Sequence, residues 1–315
     1  MNIAILDAAT LGEDITFECI EKHGNVKVYD KTSSEEAVER LKNIDCAILN
    51  KVKLTEEILS KTPNLKLICI TATGFDNVDT AYCKKHGIAV CNVKGYSTDC
   101  VAQLTVSMAL SLINHLTEFD KYVKSRKYTQ SGIHNKLTPV FNEISGKTWG
   151  IVGLGNIGKR VAKTAEALGC KILAYKRTPE EGYNCVDLET LLKESDIVSL
   201  HIPSNAETVG LISKERLEMM KKSAILINVA RGNVVDEQAV ADAIKFGFLR
   251  GFGCDVYSTE PFPSDHPYNK ILMHDNVILT PHMAWGGYET RVRLINEVSD
   301  NIESYVSDGD RNRGV

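Results

Sequence analysis

Short apolar runs alternate with amphipathic helical patterns along almost the whole chain, and this alternation constrains the fold more than any other feature. The first hundred residues contain five strand candidates, NIAILD, VKVYD, CAILN, LKLICIT and IAVCN, with helical stretches such as SEEAVERLKN and DTAYCKKHG between them. Strands joined by helices form parallel sheets covered on both faces. This part of the chain is therefore predicted to be a complete small α/β unit.

A second alternating series begins near residue 147 and supplies six more strand candidates, TWGIVG, KILAYK, DIVSLH, AILINVA, GFGCDVY and VILT. A long helical pattern from about Ser97 to Ser125, followed by a polar loop, separates the two series. The same reasoning predicts a second parallel sheet.

Three glycines follow the first strand of the second series in the spacing G-x-G-x-x-G. The spacing alone is weak evidence, but a strand pattern precedes it and an alanine-rich helix follows. Gly153 permits the tight turn, Gly155 lets the backbone approach a pyrophosphate, and Gly158 lets helix and strand pack closely. Amides near Asn156 and Ile157 would face the anion. The motif predicts a dinucleotide site; an empty turn and a methyltransferase-type site are the alternatives.

A last amphipathic helix, roughly Tyr288 to Val306, has no strand after it to pack beside. The economical arrangement returns this helix to the first unit and makes that unit discontinuous. We therefore predict an α/β protein in which a Rossmann dinucleotide-binding domain, residues 98–286, is inserted into a smaller flavodoxin-like substrate domain formed by residues 1–97 and 287–315.

Three residues able to support redox chemistry follow strands of the second series: Arg231 in NVARGNVVD, Glu260 in DVYSTEP and His282 in LTPHMAW. Open α/β sheets bind ligands at the carboxyl ends of their strands. Arg231 can bind a substrate carboxylate bidentately and polarise the neighbouring carbonyl. His282 can donate a proton to the carbonyl oxygen, and Glu260 would orient the imidazole and favour its charged form.

Each of these residues has a simpler explanation when it is considered alone. Arg231 fits a surface ion pair, Glu260 a solvated turn residue before Pro261, and His282 a structural imidazole. Their joint occurrence after a dinucleotide turn favours a reductase that acts on a small 2-oxo acid. A non-catalytic dinucleotide sensor of the same fold is the alternative, because such a protein can retain all three residues.

Composition and charge exclude several other classes. A net charge of -4 with mixed signs provides no basic surface for nucleic acid. The longest apolar run, VAQLTVSMALSLINHL, is interrupted by polar residues and is predicted to be a buried helix rather than a membrane span. The chain enters a strand at once and shows no signal peptide. Nine dispersed cysteines without a CxxC pair predict reduced thiols in the cytoplasm and no metal site.

Four blocks of the sequence, TATGFDNVD, GKTWGIVGLGNIG, LINVARGNVVDEQAV and ILTPHMAW, resemble those of the D-isomer-specific 2-hydroxyacid dehydrogenases, in the same order. The resemblance covers nearly the whole chain and implies the catalytic roles given above to Arg231, Glu260 and His282. It also implies that Asp255 contacts the nicotinamide carboxamide. The family is usually dimeric through its cofactor domains, so a homodimer is expected, with the long helix after Ser97 as a candidate contact.

The resemblance further implies contacts with the two small molecules of the reaction. Substrate contacts are expected from Lys51, from the backbone around Thr73 and Gly74, and from Arg231 and His282. Additional cofactor contacts are expected from a set spread along the second series: His201, Pro203, Thr208, Val229, Ala230, Arg231, His282 and Trp285.

The stretch NVKGYSTDCVAQ is similar to that of glycerate dehydrogenases, members of the family that reduce hydroxypyruvate and often glyoxylate. Phosphoglycerate-oxidising relatives commonly carry an Arg before the GxDN turn, and ITATGFDN has none. Hydroxypyruvate is therefore the first expected substrate and glyoxylate the second.

The strand KILAYK ends where NAD-selective proteins place an acid that binds the ribose hydroxyls. Here Lys176, Arg177 and Thr178 stand at that position. Two cations and a hydroxyl favour NADP, which carries a 2'-phosphate. NAD is the alternative cofactor if both cations are merely solvated.

Overall fold

The computed structural model describes all residues, 1–315. The chain divides into two compact units, the first made of Met1–Ser97 and Gly286–Val315 and the second of Thr98–Trp285. Each unit contains its own parallel sheet, so the predicted α/β class is confirmed.

The first unit contains a five-stranded sheet in the order β2-β1-β3-β4-β5, the flavodoxin-like order. All five predicted strands are confirmed: β1 Asn2–Ile5, β2 Asn25–Val28, β3 Cys46–Leu49, β4 Leu67–Ile70 and β5 Ala89–Cys91. β3 and β4 are buried along their whole length because helices cover both sheet faces. These helices are α1 Glu18–Glu21, α2 Ser34–Leu41, α3 Glu56–Leu59 and α4 Thr80–His86.

The last helix of the chain, α12 Tyr288–Val306, belongs to this first unit. Leu294, Val298 and Ile302 are fully buried on its inner face. Its Ser299 hydroxyl donates to the carbonyl of Cys19 at 2.8 Å. The helix therefore completes the core of a unit whose other elements precede residue 98.

The second unit contains a six-stranded parallel sheet in the order β11-β10-β9-β8-β6-β7. The six predicted strands are confirmed as β6 Thr148–Val152, β7 Lys171–Tyr175, β8 Ile197–Leu200, β9 Ile225–Asn228, β10 Gly251–Cys254 and β11 Val277–Leu279. Strand order reverses at β6, which pairs with β7 on one side and β8 on the other. The loops after β6 and β8 therefore flank the switch point at which doubly wound sheets bind ligands.

Seven helices accompany this sheet: α5 Thr98–Ile113, α6 Leu116–Lys124, α7 Lys127–Ser131, α8 Asn156–Ala167, α9 Leu188–Glu194, α10 Lys214–Met219 and α11 Glu237–Lys245. Short 3-10 turns occur at Ala8–Leu11, Gly232–Val234 and Pro267–Lys270.

The prediction of one long helix after Ser97 was wrong, because α5 and α6 are separate and bent by 63°. His115 between them is left-handed, with φ of 51°, and an α-helix cannot continue through that conformation. No single helix of the protein has both the length and the apolar content to cross a bilayer; only the bent pair α5 and α6 reaches both together. Half of α5 is buried in the core of its own unit.

Candidate active site

The glycine turn after β6 has the geometry that close approach to a dinucleotide requires. Gly153 has φ of 100°, and a Cβ there would lie 2.6 Å from the carbonyl oxygen of His201. A Cβ on Gly158 would lie 2.1 Å from the carbonyl oxygen of Gly153. Beyond Gly155, in contrast, nothing lies within 4 Å of an added Cβ. The turn is thus closed toward the sheet and open outward, which fits a pyrophosphate approaching the backbone.

The N-terminus of α8 begins immediately after this open position. Gly155 is its N-cap, and no side chain caps the helix. The amides of Asn156 and Ile157 belong to the first turn, whose N–H groups have no partner within the helix. Such groups, together with the helix dipole, bind anions.

His201, at the end of β8, faces the same turn through its carbonyl group. Its Nε2 is 2.9 Å from the hydroxyl of Ser199, which also accepts a bond from Nε1 of Trp149 at 2.9 Å. Its Nδ1 is buried and has no partner. Burial lowers the pKa of the His201 imidazole to about 3, so the ring is neutral at physiological pH.

The turn that carries Arg231 is shaped by Asn228, the last residue of β9. The Asn228 side chain accepts from the N–H of Ala230 at 3.1 Å and donates to the carbonyl of Arg231 at 2.9 Å. Val229 and Ala230 are buried, whereas Arg231 is exposed and its Nη1 donates to the Ala230 carbonyl at 2.8 Å. The guanidinium therefore keeps donors for a ligand at the sheet edge.

A close backbone contact joins this turn to the loop that carries Glu260. A Cβ on Gly232 would lie 1.9 Å from the carbonyl carbon of Tyr257 and 2.1 Å from the nitrogen of Ser258. The Glu237 carboxylate accepts from the N–H of Ser258 at 2.9 Å and from its hydroxyl at 2.5 Å. Only glycine at 232 allows this packing, which brings the Glu260 loop against the residue after Arg231.

Glu260 and His282 form the central pair of the site. Nδ1 of His282 lies 2.5 Å from Oε2 of Glu260, and the two side chains are 27% and 28% exposed. The other Glu260 oxygen, Oε1, accepts from the N–H of Tyr257 at 3.0 Å. The Tyr257 hydroxyl donates to the carbonyl of Thr280 at 2.9 Å, two residues before His282. Tyr257 thus ties the carboxylate and the imidazole to one framework.

His282 itself has a left-handed backbone, with φ of 53°. This conformation is uncommon outside glycine and is often found at functional sites. Asp255 holds it, because its buried carboxylate accepts from the N–H groups of Met283 and Ala284, both at 2.9 Å, and from the Thr280 hydroxyl. Burial raises the pKa of Asp255, although these bonds oppose the effect.

The arrangement offers two complementary chemical groups. Since Nδ1 of His282 faces a carboxylate, Nε2 is the ring nitrogen available to a reacting oxygen. Arg231 supplies a permanent cation that cannot take part in proton transfer. A site with these two groups can hold an anionic substrate and exchange one proton with it.

The end of β7 differs from the sequence expectation in one respect. Lys176 forms an ion pair with Glu180, which also pairs with Lys159 of α8. Arg177 pairs with Glu207 at 3.0 Å. Each of the two cations is thus paired with a carboxylate, although the Arg177 side chain remains 80% exposed. A cavity of about 460 Å³ opens beside them, lined by Tyr175, Lys176, Arg177, Pro179, Cys185, Val186 and Asp187.

The remaining predicted cofactor residues lie in the same unit. Thr208 donates to the carbonyl of Pro203 at 2.7 Å and so shapes the loop after β8. Thr178 is exposed just beyond β7, and Trp285 is partly exposed.

The predicted substrate residues of the first unit lie after two neighbouring strands. Lys51 follows β3, and its N–H donates to the buried carboxylate of Asp7 at 2.6 Å. The Thr73 hydroxyl donates to the carbonyl of Val93 at 2.8 Å, and Gly74 follows it after β4. Asp7 therefore fixes the loop that carries Lys51.

Sequence reasoning missed the residues that hold the site together, chiefly Asn228, Glu237, Tyr257 and Asp7. All four bond to backbone groups in loops after strands. For Asn228, Glu237 and Asp7 the available signal was an acid or amide near the end of a strand or at the start of a helix, positions at which such side chains commonly satisfy the backbone. Tyr257 offered no such signal.

Comparisons with known proteins point to one family. Residues 106–284 match the family described as D-isomer specific 2-hydroxyacid dehydrogenase, NAD binding domain. A glycerate dehydrogenase of Methylorubrum extorquens is 39% identical over 97% of this chain and 96% of its own. A hydroxypyruvate reductase of Blautia hydrogenotrophica is 35% identical over 97% of both chains. The structure of an acyclic imino acid reductase in complex with NADPH and D-Arg is 32% identical, covers 100% of both chains and superposes with a TM-score of 0.86.

Proposed function

Because the chain belongs to the D-isomer specific 2-hydroxyacid dehydrogenase family, we propose that it reduces hydroxypyruvate, and more weakly glyoxylate, to the D-2-hydroxy acid. It is an oxidoreductase that acts on 2-oxo and 2-hydroxy acids with a nicotinamide dinucleotide. The observation that supports the proposed chemistry is the 2.5 Å contact between His282 and Glu260. The loop that carries Glu260 packs against Gly232, the residue after Arg231.

A nicotinamide dinucleotide, when bound, would supply the hydride for the reduction. Arg231 binds the substrate carboxylate through two parallel N–H bonds and draws electron density from the adjacent carbonyl. Nε2 of His282 donates a proton to the carbonyl oxygen as that oxygen gains negative charge. Glu260 holds the ring through Nδ1 and stabilises its charged form by a charge-assisted bond. In the reverse direction, His282 takes the proton back from the alcohol.

Residues of six loops, each at the end of a strand of the second unit, are assigned to the cofactor. The backbone at Gly153, Gly155 and Gly158, with the amides of Asn156 and Ile157, holds the pyrophosphate. Other contacts come from the loops after β7, β8, β9, β10 and β11, namely Lys176, Arg177, Thr178, His201, Pro203, Thr208, Val229, Ala230, Arg231, Asp255, His282 and Trp285.

The substrate contacts of the first unit are assigned to Lys51, Thr73 and Gly74. Hydroxypyruvate is the first choice because relatives that match nearly the whole chain are named glycerate dehydrogenase and hydroxypyruvate reductase. The stretch before the GFDN turn carries no cation for a substrate phosphate.

NADP is the proposed cofactor, with NAD accepted more weakly. Lys176 stands where NAD-selective sites place an acid, and Arg177 follows it. Two cations attract a 2'-phosphate, whereas an acid would repel it. The NADPH complex of the imino acid reductase shows that a protein of this fold and similar sequence binds that cofactor.

A homodimer formed through the second unit is also proposed. The segment from α6 to residue 141 exposes a series of large apolar side chains, each between 53% and 71% accessible: Leu116, Val123, Ile133, Leu137 and Val140. Apolar patches of this kind mark protein interfaces, and a second copy of the chain would cover them.

The cytoplasm is the proposed location of the protein. All nine cysteines are free thiols, which supports a reducing compartment.

The absorbance of NADPH and of NADH at 340 nm, followed with hydroxypyruvate, glyoxylate, pyruvate and 2-oxoglutarate in separate reactions, tests the function. The expected result is the highest kcat/KM for hydroxypyruvate with NADPH. Cofactor binding without oxidation by any of the four acids would favour a non-catalytic dinucleotide sensor instead. A further reaction contains pyruvate together with ammonium. Cofactor oxidation that occurs with pyruvate only when ammonium is present would identify an imino acid reductase.

A further inference from the structure

The Glu180 carboxylate lies between two ammonium groups at the end of β7. One belongs to Lys176, the first residue after the strand, and the other to Lys159 in the first turns of α8. All three side chains are partly exposed: 37% for each lysine and 27% for Glu180. The arrangement is therefore an accessible ion triad at the edge of the candidate dinucleotide site.

The position of this triad matters because of where the ribose lies in such sites. The residue directly after the second strand of a dinucleotide-binding sheet faces the adenosine ribose, and NAD-selective proteins place an acid there. This chain places Lys176 there instead, but Glu180 brings a carboxylate back to the same place four residues later. The two ammonium groups together carry +2, and Glu180 reduces the sum to +1.

We propose that Glu180 is a specificity-determining residue that restrains the preference for NADPH over NADH. Its carboxylate neutralises part of the charge that a ribose 2'-phosphate would bind, and the phosphate must displace Glu180 from at least one lysine. Cofactors without that phosphate leave the triad intact. The inference rests on the proposed binding of NADPH at this strand end.

The ionisation of Glu180 supports its competition with a phosphate for the two lysines. The ammonium of Lys159, and then that of Lys176, lowers the pKa of Glu180, so the carboxylate remains charged throughout the neutral range. A dianionic phosphate therefore meets a full negative charge beside the two cations. Removing that charge should strengthen binding of a 2'-phosphate by roughly three- to thirtyfold, the range expected for two partly exposed ion pairs.

The experiment compares Glu180→Gln with Glu181→Gln, a matched change at the neighbouring exposed residue. Isothermal titration calorimetry measures Kd for 2',5'-ADP and for 5'-ADP, which differ only in the phosphate. Glu180→Gln is expected to lower Kd for 2',5'-ADP by roughly three- to thirtyfold and to leave Kd for 5'-ADP within about twofold. Glu181→Gln is expected to change neither. Kd values for NADPH and NADH should follow the same pattern.

Three outcomes would overturn the inference: an unchanged Kd for 2',5'-ADP, an equal change for both ligands, or the same gain in Glu181→Gln. Lys159→Gln provides a second variant, for which weaker binding of 2',5'-ADP alone is expected; unchanged binding also counts against the triad. Calorimetry measures binding and needs no turnover. A protein inactive with every 2-oxo acid would therefore refute the proposed reaction, while the Kd values for 2',5'-ADP would still decide the role of Glu180.

Discussion

Replacing Glu260 by Gln tests the proposed proton donor with almost no change in shape. In the protein, Oε2 of Glu260 accepts from Nδ1 of His282 at 2.5 Å and Oε1 accepts from the N–H of Tyr257 at 3.0 Å. An amide has one acceptor and one donor end. If its oxygen turns to His282, its NH2 faces the Tyr257 N–H. If its oxygen turns to Tyr257, its NH2 faces Nδ1, which must then carry no proton.

Either orientation penalises the doubly protonated imidazole that proton donation requires. The loss is one hydrogen bond to a charged group, about 1.5–3 kcal/mol. Because His282 and Glu260 are 27% and 28% exposed, water offsets part of this loss and the lower half of the range applies. The expected result is a fall in kcat/KM of roughly ten- to fiftyfold.

Steady-state rates with hydroxypyruvate and NADPH measure this effect, and cofactor fluorescence measures Kd in the same samples. Glu189→Gln, at an exposed ion pair on α9, is the matched control and should behave as the native protein. A kcat/KM within twofold of the native value would refute the role of Glu260. A parallel loss of cofactor affinity would show that the loop has moved rather than that the pair has been uncoupled.

Four further outcomes follow from the same structure. His282→Ala should reduce turnover by roughly 10²–10⁴-fold with little change in cofactor Kd, and native-like turnover would remove this residue from the mechanism. Lys176→Asp should raise KM for NADPH by roughly ten- to hundredfold more than KM for NADH, whereas equal effects would show that the strand end does not contact the ribose. Gly232→Ala should lower kcat and destabilise the fold by about 1–3 kcal/mol in urea unfolding, because the Cβ meets backbone that carries Glu260. The pKa of His201 falls to about 3 on folding, so the unfolded chain binds the extra proton and stability decreases as pH falls from 6.5 toward 3; native protein should lose about 2 kcal/mol more than His201→Asn between pH 7 and pH 5.

The strands could be predicted from the sequence because the spacing of apolar residues and the length of each apolar run determine them. All eleven candidate runs form strands, and the glycine turn lies between β6 and α8 as the spacing indicated. The break between α5 and α6 could not be predicted, since the helical pattern continues through it. It depends on the left-handed backbone of His115, and no neighbouring glycine or proline signals that conformation.

Only those site residues whose side-chain type indicates their chemical role could be predicted from the sequence. Arg231, Glu260 and His282 could be predicted because each of these side-chain types has a specific task in proton transfer or anion binding. The backbone contacts that support them could not be predicted. Asp255 was expected only as a cofactor contact and Asn228 not at all, and both bond to backbone groups of residues two to twenty-nine positions away. The contact of Gly232 with Tyr257 is likewise a tertiary contact between two loops, and no local pattern encodes it.

The placement of α12 imposes an order on the folding of the newly made chain. The first unit closes through bonds such as that from Ser299 to Cys19, which join residues 280 positions apart. Until α12 has left the ribosome, the apolar surface that Leu294, Val298 and Ile302 will cover remains open to water. The second unit, contiguous in sequence, can finish its core earlier. The N-terminal sheet can therefore complete its core only after α12 has been synthesised.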